Sequence, residues 1–308
     1  MENKGAINAK GEAPFIFDNN WEHWGNLPEE KRRLTTTNAD GEPVVELTEE
    51  QKFTFDANGW LLFPGVLPED ELPEMRRFCK RLRFEPETLP AHQRTPIAGP
   101  LERLLDHPVL IGFLNEFLAY PAMASEDAYG FRFEASFLLY RKKGGGKFSP
   151  HNGNGLWRFP GNSHIYRHIP GRGYAGLTRV VWELNPVGEG DGGTLFVNGS
   201  HKAAYKLPES VIKNQDSPLW SSYSCPAGSL IIFTESTTHT ARPWTNEQVD
   251  RIPVFNMYNS FGSRFHWWEP PGELLAEMSP KRQSMFRRVH PDGHREVDEE
   301  NMFLRPLL

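Results

Sequence analysis

The chain is poor in cysteine, with only Cys79 and Cys225 among its 308 residues. Two cysteines are too few for the disulfide framework of a small secreted domain. They also lack the closely spaced pairs that typify structural zinc sites. We therefore interpret both as buried or incidental thiols. Stability is expected to come from a hydrophobic core, which a chain of this length can readily form.

Long apolar runs and an excess of positive charge are absent as well. No segment approaches the roughly 20 apolar residues of a membrane span, and the opening MENKGAINAKGEAP lacks the apolar core of a signal peptide. The formal net charge is -6, without the basic stripe typical of proteins that bind nucleic-acid polymers. We expect a cytoplasmic protein that binds neither membranes nor nucleic acid. Its composition specifies no oligomeric state.

Helical signals precede residue 120. Thr48, followed three residues later by Gln51, has the pattern of a capping box. Acidic residues before Leu72 favour a second helix start. A run with helical spacing between about 97 and 120 is broken before Pro108, because proline disfavours helical backbone at the preceding residue. These helices are predicted to support a sheet.

Strand patterns dominate from about residue 130. Apolar and polar residues alternate over 131–139, the period of two expected of a strand with one buried face. Further apolar segments, separated by turns rich in glycine and proline, cover residues 177–184, 194–197, 229–233 and 252–258. Short strands at this spacing predict a mainly β fold with flanking helices, a cupin-like double-stranded β-helix or jelly roll.

The chain is predicted to contain one domain and an N-terminal arm. Residues 1–50 are polar and rich in turn signals, but Trp21 and Trp24 suggest that this arm packs on the body. Residues 51–308 are predicted to form a single domain with a helical C-terminal tail from about Pro270.

Two histidines stand at the ends of predicted strands. His151 follows the first strand and His239 follows the apolar strand 229–233. Histidines from facing strands of a barrel can meet at its mouth. Arg251 lies at the start of the next strand, where its planar guanidinium would suit one carboxylate of a dicarboxylate. The sequence thus predicts a metal site next to an anion site.

A carboxylate is missing beside His151. Non-haem iron sites are commonly held by two imidazoles and one carboxylate. In a His-x-Asp motif that begins at His151, the carboxylate would belong to residue 153, which is Gly153. Glycine offers no ligand, so another group would have to fill the position.

Three segments resemble the phytanoyl-CoA dioxygenase family of Fe(II)/2-oxoglutarate enzymes over roughly residues 50 to 265. They are DANGWLLFPGVL from Asp56, DGGTLFVNGSHK from Asp191, and Thr238-His239-Thr240-Ala241 with Arg251. The second segment resembles the family's NGGT-x-x-x-PGSHK turn. It departs from that turn at Asp191 and Asn198, where the family has asparagine and proline.

The resemblance implies a catalytic domain that binds Fe(II) through His151 and His239 and 2-oxoglutarate through Arg251, and that consumes O2. It also implies that His201 belongs to a structural turn. Among 2-oxoglutarate enzymes, halogenases replace the carboxylate ligand with Gly or Ala and bind a halide there. With chloride beside Gly153 as a catalytic feature, the expected function is a halogenase that chlorinates an unactivated C–H of a small metabolite, which nearby cations suggest is anionic.

Three other interpretations stay open. Asp191 or Glu235 could supply the carboxylate and make the protein a hydroxylase, and Glu235 is the more interesting because it shares a segment with His239. Asn152 and Asn154 could bind the iron weakly or hydrogen-bond its anion. The barrel could also be a metal-free, non-catalytic binding module.

Further candidates concern the pocket around the metal. Trp182 could line the co-substrate pocket, and Tyr140 could donate a hydrogen bond to 2-oxoglutarate or substrate. The loop from Trp157 to Arg172 contains several cations and has no strand pattern. A long loop beside a metal motif is typical of a lid over a substrate.

Overall fold

The computed structural model describes residues 34–152, 165–169, 171–260, 262–287 and 289, and the backbone of 295–297 and 304–306. Trp21 and Trp24 of the predicted arm, Gly153, Asn154 and residues 157–164 of the predicted lid lie outside these ranges. The expectations for those residues stay predictions.

Three α-helices lie before residue 120 in the described part of the chain. They are α1 (Glu49–Asn58), α2 (Leu72–Phe84) and α3 (Pro108–Phe117). The predicted capping box is confirmed, because Thr48 and Gln51 each accept a hydrogen bond from the other's backbone N–H. A 3-10 helix at Gly99–Leu105 ends just before α3, so the predicted break before Pro108 is also confirmed. No helix within the described ranges is long and apolar enough to span a bilayer.

Two antiparallel sheets form the body. The strands are β1 (Trp60–Phe63), β2 (Arg132–Leu138), β3 (Arg167–Ile169), β4 (Arg172–Tyr174), β5 (Thr178–Glu183), β6 (Gly193–Val197), β7 (Trp220–Ser221), β8 (Ser229–Thr234), β9 (His239–Arg242), β10 (Pro253–Asn259), β11 (Arg295–Val297) and β12 (Leu304–Pro306). The larger sheet has the order β1-β8-β5-β10-β2, and the smaller sheet has the order β7-β6-β9. This arrangement confirms the predicted double-stranded β-helix.

The larger sheet buries apolar side chains on both faces. One face packs Trp182 and Ile232 among residues of the helices. The other packs Val181 and Ile231 with Phe196 of the smaller sheet. Because successive strand residues point to opposite faces, Trp182 points towards the helices, whereas Val181 and Glu183 point into the barrel. We call the second face the inner face.

The prediction that β2 has only one buried face, with its polar side chains exposed, is wrong. Arg132 and Glu134 are only 5% and 1% exposed, and they form an ion pair of 2.7 Å. The Glu134 carboxylate also accepts hydrogen bonds from the backbone N–H groups of Phe265 and His266. Charges can be buried in this way only when they are paired and hydrogen-bonded. The segment after β10 therefore covers the polar face that the sequence pattern assigned to solvent.

A short helix, α4 (Glu209–Ile212), lies between β6 and β7. In the described part of the chain, α5 (Gly272–Glu277) and α6 (Pro280–Gln283) follow β10. Arg282 ties this segment to the body, since its guanidinium contacts Asp106 at 2.8 and 3.0 Å and Glu102 at 2.6 Å. The backbone of β11 and β12 forms a further strand pair. The division of the chain near residue 50 stays a prediction.

The end of the predicted lid contains strands that its sequence did not indicate. β3 and β4 form a hairpin in which Arg167 pairs with Tyr174. These strands have three residues each and pair only with one another, so no long alternating pattern is required. Closure of the lid over a substrate stays a prediction.

Gly59 joins α1 to β1 under two constraints. Its φ is 80°, in the left-handed region, where side chains other than hydrogen are strained. A Cβ atom at this position would lie 2.2 Å from Thr237 Oγ1 and 2.5 Å from His201 Nδ1. The helix end, the His201 turn and the turn after β8 therefore meet at a point where only glycine fits.

We predict that Gly59→Ala lowers the free energy of unfolding by about 2–5 kcal/mol, from about 1–2 kcal/mol of left-handed strain and about 1–3 kcal/mol of overpacking. Gly144→Ala is the matched control, because Gly144 has a φ of 79° and nothing within 4 Å of an added Cβ. The free energy of unfolding of Gly144→Ala should fall only by the cost of the left-handed strain, about 1–2 kcal/mol. Denaturant unfolding measures both variants, and equal losses would show that the close approach to His201 contributes nothing.

Candidate metal centre

His151 and His239 meet across two facing chain segments. Their backbones exchange hydrogen bonds of 3.1 Å and 3.0 Å, so their side chains lie on the same side of the pair. The ring centroids are 4.3 Å apart. His151 is exposed and His239 is buried. The structure thus brings together the two histidines that the sequence placed at strand ends.

Backbone carbonyls fix the orientation of both imidazoles. His151 Nδ1 lies 2.8 Å from the Ser149 carbonyl oxygen, and His239 Nδ1 lies 2.8 Å from the Thr237 carbonyl oxygen. A carbonyl can only accept a hydrogen bond, so each Nδ1 carries the proton and each Nε2 keeps a lone pair. Metal-binding histidines are commonly held in this way.

Burial keeps His239 neutral. It lowers the pKa of His239 to about 4, against the opposing effect of the nearby Glu235 carboxylate. The ring is therefore unprotonated at neutral pH. Metal ligation by histidine requires this state.

Among the described residues, Glu235 is the carboxylate that joins this pair. Its Oε1 is 4.0 Å from His239 Nε2, and the ligand atoms of His151, Glu235 and His239 all lie within 4.8 Å of one another. Metal–ligand bonds of about 2.1 Å place neighbouring ligands of one ion about 3 Å apart and opposite ligands about 4 Å apart. These side chains would therefore have to move towards one another to place all three around one ion.

The turn between β8 and β9 positions Glu235. It begins where Thr234 ends β8, and the Thr237 N–H donates to the Thr234 carbonyl at 2.9 Å. The Glu235 N–H donates to the Leu177 carbonyl at 2.8 Å. This tight turn brings Glu235 back towards His239, four residues later.

Arg179 holds Glu235 in its ionised form. Arg179 Nε donates to Glu235 Oε2, and Arg179 Nη2 lies 3.4 Å from Oε1. Burial alone would raise the pKa of Glu235. The charge and hydrogen bond of Arg179, together with the electrostatic effects of His239 and His151, outweigh burial, so the pKa lies below its usual value. Oε1, the atom nearer His239, is the less tightly held of the two oxygens.

The other proposed oxygen and amide ligands have different partners. Asp191 Oδ2 accepts hydrogen bonds from the Gly188 N–H at 2.8 Å and from Asn246 Nδ2 at 3.0 Å, which closes a turn. Asn152 Nδ2 donates to Thr238 Oγ1 at 2.5 Å. Of the two carboxylates considered from sequence, only Glu235 joins the histidines.

Arg251 lies inside the barrel, where it is only 1% exposed. Its Nε is 3.0 and 3.2 Å from the two oxygens of Glu183, and its Nη2 also binds Glu183. Nη2 lies 3.0 Å from Tyr223 Oη and 3.3 Å from Thr194 Oγ1. Part of the guanidinium that was predicted to bind 2-oxoglutarate is therefore paired within the protein. Its co-substrate role stays a prediction.

Trp182 and Tyr140 do not face the centre. Trp182 is fully buried on the helix-facing side, with its ring centroid 5.4 Å from that of His107. The Tyr140 ring packs edge-on against Phe84 at 4.9 Å, also on the helix-facing side. Their positions give no support to the predicted pocket roles, because each lies on the opposite face of the sheet.

His201 serves the turn that joins α1 to the barrel. Its Nε2 lies 3.0 Å from the Asp56 carbonyl oxygen, and its ring packs edge-on against Tyr166. It is absent from the metal-binding group found among the described residues. This placement agrees with the structural role inferred from the GSHK motif.

The donor set of His151, His239 and Glu235 fits Fe(II). Two neutral imidazoles and an ionised carboxylate are the ligands of the non-haem iron sites in oxygenases. Sequence reasoning considered Glu235 but not its link to Arg179, and it missed Glu183 as the partner of Arg251. Both pairs form between distant segments.

The sequence matches a known protein family, and the fold matches solved structures. The phytanoyl-CoA dioxygenase (PhyH) family matches residues 55–252, whereas no curated protein sequence matches the chain. The structure of iron-bound HygX from Streptomyces hygroscopicus has a TM-score of 0.56 and 23% identity, covering 72% of this chain and 90% of that one. HygX has also been solved with nickel and 2-oxoglutarate bound.

A second solved structure with the same fold is EctD from S. alaskensis in its apoform. It has a TM-score of 0.53 and 15% identity, covering 83% of this chain and 92% of that one. These structural likenesses show the fold, and the family match extends over more than half of the sequence. The chain therefore belongs to the phytanoyl-CoA dioxygenase (PhyH) family and is an Fe(II)/2-oxoglutarate-dependent oxidoreductase.

Proposed function

We propose that the protein is an Fe(II)/2-oxoglutarate-dependent hydroxylase of a small molecule, with the metal held by His151, His239 and Glu235. The observation that carries the proposal is the ionised Glu235 carboxylate, 4.0 Å from His239 Nε2. Two imidazoles and one carboxylate leave the opposite side of the ion open for co-substrate and oxygen.

The protein's own groups prepare this site. The carbonyls of Ser149 and Thr237 hold the imidazoles with Nε2 available, and Arg179 orients Glu235. When bound, iron supplies oxygen activation coupled to the oxidative decarboxylation of 2-oxoglutarate.

An apolar wall beside the centre supports a substrate that presents carbon to the metal. Buried Ala135, Leu177 and Met257 pack with Phe137 and Phe265 on the inner side of the sheet. The Leu177 carbonyl accepts the Glu235 N–H at 2.8 Å, so the wall adjoins the centre. An apolar wall excludes water and favours a small molecule with an aliphatic or aromatic part.

Halogenation is the second candidate, and two observations favour it. Residue 153 is glycine, and Arg179 contacts both oxygens of Glu235. If Glu235 stays with Arg179, the carboxylate position beside His151 is available to chloride. The position of the Glu235 carboxylate, 4.0 Å from His239 Nε2, argues against this candidate, because the carboxylate could fill the same coordination position.

We predict that Glu235→Gln weakens Fe(II) binding by more than the roughly 10- to 100-fold that follows loss of a group supporting a ligand. His151→Ala and His239→Ala should do the same. Equilibrium titration under anaerobic conditions measures the affinity. Asp191→Asn is the matched control and should bind Fe(II) like the wild type, because Asp191 lies in a turn away from the histidines.

Loss of Glu235 alone leaves Arg179 partly buried without its partner, which can destabilise the fold. The double variant Arg179→Gln, Glu235→Gln removes both charges and controls for this effect. If folded single and double variants bind Fe(II) as tightly as the wild type, Glu235 is not a ligand and the halogenase becomes the preferred function.

We further predict that chloride does not change the reaction. Protein reconstituted with Fe(II) and 2-oxoglutarate should hydroxylate its substrate equally with chloride or with sulfate at matched ionic strength. The protein is incubated with a library of small acids and nucleotides, and the reaction is started by adding oxygen. Mass spectrometry then identifies the products. A chlorinated product that requires chloride, and that disappears in Gly153→Asp, would establish halogenation instead.

A further inference from the structure

Arg251 already forms an ion pair with Glu183. Its Nε and Nη2 both donate to the Glu183 carboxylate. The Tyr223 hydroxyl donates to Glu183 Oε1 at 2.7 Å and accepts from Arg251 Nη2 at 3.0 Å. Glu183 is 0% exposed. A guanidinium held by a buried carboxylate is poorly suited to be the sole receptor of a second carboxylate.

Arg141 lies directly opposite Arg251. The two backbones exchange hydrogen bonds of 2.9 Å in each direction, so both side chains project from the same face. Nη1 of Arg141 is buried and has no hydrogen-bond partner within the described part of the chain. Burial lowers the pKa of Arg141, and the like charge of Arg251 lowers it further, against the opposing effect of the more distant Glu183 carboxylate, which forms no ion pair with Arg141. Arg141 is therefore a partly buried cation that forms no ion pair within the described part of the chain.

The glycine turn after Arg141 makes room for this side chain. A Cβ atom on Gly146 would lie 3.0 Å from Arg141 Nη1. The turn itself is held by the Gly144 N–H, which donates to the Trp244 carbonyl at 2.7 Å. Arg141 Nη1 is thus enclosed by a fixed turn.

The arginine pair lies a short distance from the metal centre. His239 pairs with Phe196 in the smaller sheet, and Ala241 pairs with Thr194 two residues further along. Thr194 Oγ1 is 3.3 Å from Arg251 Nη2. Two residues along a strand span about 6.6 Å, which suits the five-carbon chain of 2-oxoglutarate.

We infer that Arg141 binds the distal carboxylate of 2-oxoglutarate, while Glu183 positions Arg251 beside it. Within the described residues, Glu183 is the only carboxylate paired with either guanidinium, so the cluster has two positive charges and one negative charge. A bound carboxylate would neutralise it and occupy the unpartnered Nη1. The inference rests on the 2-oxoglutarate dependence in the proposed function and adds a specificity-determining residue.

The test compares two ligands that differ only at the distal group. 2-Oxopentanoate has a methyl group where 2-oxoglutarate has its distal carboxylate. Anaerobic Fe(II)-loaded protein is titrated with each ligand, and binding is followed by the visible metal-to-ligand charge-transfer band. Arg141→Met should weaken 2-oxoglutarate binding by about 10- to 100-fold, the effect of losing a charged hydrogen bond. It should leave 2-oxopentanoate binding within about twofold of the wild type.

Lys142→Met is the matched control, because it removes the same charge from the adjacent, exposed position and should change neither affinity. Arg141→Lys keeps the charge and should recover part of the 2-oxoglutarate affinity. If Arg141→Met unfolds, the test rests on Arg141→Lys alone. If Arg141→Lys then prefers 2-oxoglutarate over 2-oxopentanoate as strongly as the wild type does, the inference is overturned.

The outcomes separate this inference from the proposed function. If the wild type prefers 2-oxoglutarate and folded Arg141→Met retains that preference, Arg141 is not the receptor, although the proposed function stands. If the wild type binds the two ligands equally, no receptor for the distal carboxylate exists and both proposals fail.

Discussion

Charge buried inside the barrel is the constraint on which the site depends. Ionised groups can be taken out of water only when they are paired and hydrogen-bonded. β5 directs Arg179 and Glu183 to the inner face, and each finds a partner on another segment, Glu235 and Arg251 respectively. These pairs hold the turn after β8 and the start of β10 in place. The positions of the proposed metal ligands and of the proposed anion site follow from them.

The two ion pairs differ in the charged group that remains available to bind a ligand. Glu235 lies beside two imidazoles whose Nε2 atoms are available, so its pairing with Arg179 keeps a carboxylate ionised where a metal can use it. Glu183 instead satisfies part of Arg251 and leaves Arg141 without an anion. One end of β5 therefore lies beside the proposed metal site, and the other end lies beside the proposed site for the co-substrate carboxylate.

Backbone carbonyls and glycine provide the fixed geometry around these charges. Carbonyls hold both imidazoles through Nδ1, so no additional side chain is needed to orient them. Gly59 permits the His201 turn to pack against the end of α1, beside Thr237, whose carbonyl holds His239. The family turn containing His201 thus contributes to the metal centre by supporting the chain that carries it.

The sequence by itself determined the fold class and the positions of β2, β5, β6, β8 and β10, because a period of two and glycine- and proline-rich turns are local signals. The capping box of α1 is a local signal of the same kind. The sequence also identified His151 and His239 as candidate metal ligands at the ends of predicted strands. It showed as well that residue 153 supplies no carboxylate. Only the tertiary structure decided that Glu235 accompanies the histidines, that Trp182 faces the helices, and that Arg141 faces Arg251. These relations depend on which strands pair and which face turns inward. No local pattern contains that information, because a strand buried on both faces has apolar residues on each.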